Sequence, residues 1–430
     1  MKTPNVYDII GIGIGPFNLG LAALANNIPE LNCKFFDKQT EFNWHPGLML
    51  PNTRLQVPFF ADLVTLADPT SPFTYLNFLK SKGRMFRFAI SENNFVTRFE
   101  YNQYCQWVIG QLSNLHFGLT CEAIHFNPEK NYYEIFVREK YGRTYVFHGK
   151  NIVVGVGTVP SLPESIDGLD HPFIFHSSDY LFHKKQMLTK KNISLIGSGQ
   201  SAAEIFYDLL QNTEQFETLN WFTRAEYIFP MDGSRFAFEM TSPDYIEYFY
   251  HLSDPVKEKI LATQDRLYKG VNKELIDSIY ERLYLNGIHG LDSKIHIHTN
   301  TEFDQLNIEA NTNLNLQFYH VTEEHYFEHQ SEAAIFATGY KNHIPEFLDP
   351  IKNRVNQNSN GNYSVNRNYS VDNCNSIFIQ NADLHSHGFN SADLGMGPYR
   401  NVTILNSILG REHFKMESHI GFQQFGFIVP

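Results

Sequence analysis

No stretch of this 430-residue chain reaches the roughly 20 apolar residues that a transmembrane helix requires. Positive charge is also scarce. Against 46 Asp and Glu stand 34 Lys and Arg, a net charge of -12, which argues against a nucleic-acid partner because phosphate backbones are met by basic faces. Nucleotide cofactors stay open, since backbone amides at helix N-termini hold their phosphates locally. Cysteine is sparse and scattered. Cys33, Cys105, Cys121 and Cys374 form no CxxC pair and no metal-ligand spacing, so the thiols are read as incidental in a reduced compartment. The start of the chain lacks the charged, apolar and small segments of a signal peptide, and a cytoplasmic location is expected.

The length exceeds one simple core, so two or three domains are expected. Two segments share one grammar: "VYDIIGIGIGPFNLGLAALA" from Val6 and "KNISLIGSGQSAAEIFYDLL" from Lys191. Each reads as an apolar strand, a glycine turn and a helix of small residues, the opening half of a dinucleotide-binding unit. In the first, Gly11 permits the tight turn, Gly13 and Gly15 let backbone approach a pyrophosphate, and Pro16 suits the first helical turn. The strand "CKFFD" then ends in Asp37, placed for a ribose hydroxyl. In the second, Gly197 and Gly199 lead into Gln200 and Ser201, but the following strand "TLNWFTR" ends in Arg224. A cation there suits the 2'-phosphate of NADP; the bland alternative is a solvated surface arginine. FAD at the first unit and NADPH at the second is the economical assignment, with a structural glycine turn as the alternative for either.

Between the units, "YEIFVREKYGRTYVFHGKNIVVGVG" alternates like a hairpin. From Phe236 the pattern turns helical, and "KELIDSIYERLYLNG" places Leu275, Ile276, Ile279 and Leu283 on one face with Gly287 as a stop. Strands return at "KIHIHTNTEF", "LNLQFYHV" and "EAAIFATGY", the last carrying Thr338 and Gly339. The Asn/Ser-rich "NRVNQNSNGNYSVNRNYSVDN" reads as a surface loop or hairpin. The expected fold is α/β, with two Rossmann-like domains and a smaller, mainly helical substrate domain. FAD binding is expected in residues 1–165 and 336–430, NADPH binding in 166–235 and 288–335, and the helical segment in 236–287. One segment breaks the pattern: "LQVPFFADLVTLADPTSP", apolar enough for core, yet Pro58, Pro69 and Pro72 exclude a long helix or a central strand.

The absent CxxC excludes the disulfide reductases. The monooxygenase fingerprint FxGxxxHxxx(W/Y) is broken, because "DHPFIFHSSDY" keeps His176 and Tyr180 but has Asp170 and Pro172 at the Phe and Gly positions. Other motifs run nearly end to end: "GIGPFNLGLAAL", "FFDKQTEFNWHPGLML", "LQVPFFADLVTLADPTSPFTYLNFL", "RFEYNQYCQW", "GSGQSAAEI", "FATGY" and "HSHGFNSADLGMGPYRNVTILNSILG". With them the chain resembles the siderophore-associated N-hydroxylating monooxygenases of lysine, ornithine and diamines, particularly the diamine and histamine types. The resemblance implies a class B flavin monooxygenase architecture, in which NADPH reduces FAD and a C4a-hydroperoxyflavin passes oxygen to a neutral primary amine. Water must then be excluded, and the amine must be desolvated enough to lose its proton.

Residue by residue, the resemblance places Gln56 beside the flavin ring and Arg98 near flavin and nicotinamide; the alternatives are a turn cap and a surface ion pair with Glu100. Trp44 and His45 belong to a turn over the cofactor, and Gln200 and Ser201 meet NADP. Phe236 and Glu239 shape the inserted segment, by packing or otherwise. His385 and His387 look like a metal pair in isolation, but this motif makes His387 a lining of the flavin pocket or a turn cap, and no metal is expected. Amino-acid-using relatives carry a lysine for the substrate carboxylate where this chain has Ala61, and an asparagine where it has Leu267. An unpartnered carboxylate there would cost several kcal/mol, so putrescine, cadaverine or histamine is expected over lysine or ornithine. Asp393, next to Leu394 in "SADLG", could meet a second cationic end or simply cap a helix. The other readings are a lysine or ornithine hydroxylase binding its carboxylate differently, an uncoupled NADPH oxidase, or a flavin-bearing assembly partner. A homo-oligomer, dimer or tetramer, is expected, with amine and O2 as small-molecule partners.

Overall fold

The computed structural model describes residues 5–140, 142–308 and 313–427. Its larger sheet runs, in spatial order, Leu115–Phe117, Cys33–Asp37, Val6–Ile12, Thr144–Val154, Tyr132–Glu139 and Leu119–Asn127; Ile377–Ile379 adds to the far end of Thr144–Val154. The glycine-turn strand Val6–Ile12 lies between two parallel neighbours. Parallel strands are covered on both faces, which is why they read as unbroken apolar runs: Ile9, Ile10, Ile152, Val153, Ile377 and Phe378 are all buried. The second sheet is five parallel strands in the order Ile295–His298, Thr218–Phe222, Asn192–Ile196, Ala333–Phe336 and Ile174–His176. An antiparallel meander, Thr301–Ile308, Leu314–His320 and His325–Ser331, packs on it through Phe318 stacked on Phe222 at 4.0 Å. Its last strand, "HYFEHQS", is half polar and had no sequence signal.

Five helices between Arg235 and Ile288 make up the helical segment. The long one, Lys273–Ile288, buries Ile279 and packs Leu275, Ile276 and Leu283 against the second core, as its periodicity predicts. It runs past Gly287, and the stop comes from Gly290 at φ +72°. Among the described residues no helix is long and apolar enough to cross a membrane.

Two irregular segments matter more than their sequence suggests. The Asn/Ser-rich stretch is not only surface: Val355, Tyr363, Val365 and Val371 are buried in the core of the larger sheet. Their spacing follows no helix or strand period, so the pattern hid them. The proline-rich stretch Leu55–Pro72 forms turns and bends only, latched by a residue the sequence did not single out. Asp62, 3% exposed, accepts hydrogen bonds from the backbone of Val64 (2.9 Å), Thr65 (2.6 Å) and Tyr75 (2.7 Å) and from the Thr65 hydroxyl (2.6 Å). Burial pushes its carboxyl up, and these four bonds pull it back. The latch seats the loop on the first glycine helix, where Gly20 has no Cβ to strike the Leu63 carbonyl, 2.8 Å from where one would stand.

Candidate active site

Each glycine turn feeds a helix whose first N–H groups have no side-chain cap: Gly15 precedes Pro16–Ala25, and Gly199 precedes Gln200–Leu210. Uncapped amides at the positive end of a helix suit a phosphate. The turns themselves exclude side chains. Gly13 sits at φ +89° and a Cβ there would lie 2.3 Å from the Gly155 carbonyl; Gly197, at φ +143°, would meet Ala337 at the same distance. Gly11 makes room for the ring of Phe35, 2.1 Å from its would-be Cβ. At the end of the second strand, Asp37 accepts hydrogen bonds from the N–H of Ile14 and of Gln39, both at 2.7 Å.

Between the two turns opens a cavity of about 870 Å³. Its wall includes Gly13, Gly15, Pro16 and Asp37 from the first unit, Gln200 and Ser201 from the second, and Trp44, His45, Gln56 and Arg98 from the loops between. Leu267, Asp393 and Leu394 close it together with Tyr268, Phe389 and Tyr340, three aromatics the sequence reading had not picked out. The other sequence-predicted residues are not part of this wall. Gly11, Gly197 and Gly199 act through backbone geometry behind it. Thr338 and Gly339 tie chain crossings: the Thr338 hydroxyl donates to the Ser161 carbonyl at 2.6 Å, and the Gly339 carbonyl lies 2.9 Å from His176 Nε2. Arg224 is exposed beyond the strand Thr218–Phe222.

His387 departs furthest from expectation. It is fully buried, stacked on Tyr369 at 4.3 Å, with Nδ1 2.9 Å from the Ser386 hydroxyl. It packs the core behind the cavity because its four-residue helix Leu384–His387 points it inward. His385 instead bonds the Tyr363 carbonyl at 2.7 Å. Among the described residues no group of three or more His, Cys, Asp or Glu is arranged to hold a metal ion. Ala61 is buried one layer back, 3.5 Å from where a Cβ on Gly395 would stand. Asp393 is a cap, and its position also borders the cavity. It caps the turn, accepting from the N–H of Gly395 at 2.7 Å and of Met396 at 3.3 Å, and it also faces the cavity. Burial pushes its carboxyl up, against those two bonds.

Arg98 does not pair with Glu100. Its two Nη atoms grip Glu204 of the second glycine helix, each at 2.8 Å. Glu204 is almost fully buried and also accepts from Gln200 Nε2 at 2.8 Å. Burial raises its carboxyl against the pull of Arg98 and Gln200. Gln200 Oε1 accepts from the N–H of Asn272 at 2.8 Å, and Gln56 Nε2 donates to the Gly270 carbonyl at 3.2 Å. Glu204 carried one signal in sequence, its i, i+4 spacing from Gln200; its partner 106 residues away carried none. His45, at φ +50°, touches Trp44 and is exposed to the open cavity, where the surrounding protein, followed by the nearby Arg98 charge, lowers its pKa. The imidazole that borders the cavity is therefore neutral at ordinary pH.

Residues 5–342 match the L-lysine 6-monooxygenase/L-ornithine 5-monooxygenase family. The chain belongs to that family. Among curated relatives, putrescine N-hydroxylase of Shewanella oneidensis is 43% identical over 98% of this chain and 84% of its own length. That of Acinetobacter baumannii is 42% identical over 99% and 95%. Among solved structures, the FAD-bound cadaverine monooxygenase DfoA of the desferrioxamine pathway of Erwinia amylovora superposes with a TM-score of 0.96. It is 40% identical, covering 99% of this chain and all of that one. The architecture, two Rossmann-like units and a helical segment, is that of the class B flavin monooxygenases, and the chain is an NADPH-dependent flavin monooxygenase.

Proposed function

We propose that this protein hydroxylates one primary amine of a small diamine without a carboxylate, putrescine or cadaverine, in siderophore biosynthesis. The observation that carries this reading is the charge of the cavity wall. Among the described residues it contains no lysine; Arg98 is neutralised by Glu204, and Arg54 is an exposed rim residue bonded to the Phe95 carbonyl. A substrate carboxylate would find no free buried cation, whereas a second ammonium would find Asp393. The names of the relatives above, which act on putrescine and cadaverine, point the same way.

The residues fit both cofactors. For FAD, Gly13, Gly15 and the uncapped amides of Pro16–Ala25 would hold the pyrophosphate, Asp37 a ribose, and Trp44, His45 and Gln56 the ring end. For NADPH, Gly197, Gly199, Gln200 and Ser201 form the equivalent cradle, with Arg224 at the 2'-phosphate end and Thr338 and Gly339 supporting the crossing. Bound FAD supplies the electron relay from NADPH and the activation of O2. The chain's own task is to give the two ends of one substrate opposite surroundings. Leu267, Leu394 and Phe389 desolvate the reacting amine and lower its pKa, while Asp393 keeps the distal ammonium charged. His45 remains neutral and adds no charge beside Arg98. With alanine and not lysine at position 61, no protein cation competes with the distal ammonium for Asp393. We place the protein in the cytoplasm as a dimer or tetramer; the exposed stripe Tyr280, Tyr284 and Ile288 on Lys273–Ile288 offers an apolar face for assembly.

The test is hydroxylamine formed against NADPH consumed for putrescine, cadaverine, histamine, lysine and ornithine. A diamine should exceed ornithine in kcat/KM by about 100-fold, the scale on which an unpartnered polar group is rejected. Equal turnover of ornithine and putrescine would sink the reading, and NADPH oxidation without hydroxylamine from any amine would mark an oxidase.

A further inference from the structure

Three of the cavity residues named above, Arg98, Gln200 and Gln56, come from three distant parts of the chain, and one carboxylate organises them. Glu204 holds both Nη atoms of Arg98 and the amide of Gln200. Gln200 in turn fixes Asn272 and approaches Gln56 Nε2 at 3.5 Å, and Gln56 reaches the Gly270 carbonyl. Glu204 itself is not part of the cavity wall. We infer that Glu204 is the positioning residue of the cofactor junction: it sets the guanidinium of Arg98 and the amide of Gln200 so that nicotinamide nucleotide docks in register with the flavin side. A fork-to-fork carboxylate–guanidinium pair fixes direction as well as distance, and burial prevents water from replacing it. Without the carboxylate, Arg98 is a half-buried, unpaired cation free to swing within the cavity, and Gln200 loses the acceptor that orients its amide.

This inference rests on the proposal that the cavity takes FAD and NADPH. In the FAD-loaded enzyme, Glu204→Gln should weaken NADP+ binding about 10-fold by calorimetry and raise the KM for NADPH to a similar extent. The amine KM should change less than about 2-fold, and the hydroxylamine formed per NADPH should fall. Glu204→Asp, which keeps the charge, should restore most of the NADP+ affinity. Because a single change could leave Arg98 half-buried and unpaired and so unfold the chain, the double variant Arg98→Gln/Glu204→Gln is measured beside Arg98→Gln alone. If Glu204 acts through Arg98 as well as Gln200, the double variant loses less NADP+ affinity than the sum of the losses in Arg98→Gln and Glu204→Gln. Additive losses in that pair, or a folded Glu204→Gln with wild-type NADP+ affinity and yield, would overturn the inference. So would a lowered melting temperature with NADPH and amine KM rising together and no rescue by Asp. Failure of the underlying proposal looks different: the wild type itself would then oxidise no NADPH.

Discussion

The two glycine turns are the same device in different settings. Both use a positive-φ glycine whose Cβ would stand 2.3 Å from a backbone carbonyl oxygen, and both feed an uncapped helix. The first helix is buried at nearly every position, from Pro16 to Ala25, wedged between the large sheet and the latched proline loop. The second leaves Gln200 and Ser201 half-buried at its open end. The first unit's strand ends in an acid already bonded to the turn; the second's ends at Phe222, with Arg224 just beyond it, exposed and without a partner among the described residues. A cofactor retained through many turnovers suits the enclosed unit, and one exchanged at each turnover suits the open one.

The largest effect should separate the two turns directly. Gly13→Ala and Gly197→Ala create the same clash, on top of about 1–3 kcal/mol of backbone strain. Gly13→Ala should abolish retention of FAD, read as flavin absorbance per protein after desalting, because the enclosed unit cannot give way. Gly197→Ala should keep flavin and lose NADPH-dependent reduction. Flavin retained by both variants would mean that the enclosed unit is no tighter than the open one. Next in size is the seam proposed for the substrate. Asp393→Asn keeps an oxygen to cap Gly395 and removes only the charge, so KM for putrescine should rise about 10- to 100-fold, or about 1.4–2.8 kcal/mol, with FAD content and melting temperature unchanged. Ala61→Lys should depress diamine turnover, because the lysine would repel the distal ammonium and pair with Asp393 in its place. An unchanged specificity constant would show that position 61 is too far behind Gly395 to matter. Smaller again, Arg224→Ala should weaken NADPH about 10-fold and narrow the preference over NADH, leaving FAD untouched.

These contrasts also show what could be read beforehand. Gly13, Asp37, Gly197 and the apolar face of Lys273–Ile288 were legible because their causes are local: a turn, a strand end, a 3.6-residue period. Partners across the fold were not. Arg98 had only Glu100, two residues away, as an alternative partner within reach of the sequence, and its actual partner is Glu204. His387 was placed with the flavin by its motif and lies in the core, since nothing in "HSHG" says which imidazole turns inward. Asp62 reads as one more loop acid until Tyr75 is brought to it. The buried side chains of the Asn/Ser-rich stretch escaped because irregular backbone has no period to betray them.

A last contrast compares the two halves by pH. His387 on the flavin side and His329 beside the second sheet are each lowered to about 4, burial being the main cause in both. In the unfolded chain each would take a proton near pH 6.5. Between about 6.5 and 4 the unfolded state therefore binds more protons, and stability falls as the pH falls. For the fully buried His387 the slope is about 1.4 kcal/mol per pH unit within that window. The carboxyls of Asp62, Glu204 and Asp393 are raised, so they act in the opposite sense, favouring the folded state as they gain protons above the ordinary carboxylate range. Melting temperature should hold from pH 8 to 7 and drop on going to pH 5. His387→Gln should melt lower throughout but lose less on acidification, because the group that drives the drop is gone. If flavin is released on the same slope as the chain unfolds, the enclosed unit opens only by unfolding. If flavin leaves first, its enclosure is local, and the contrast with the open unit is one of degree.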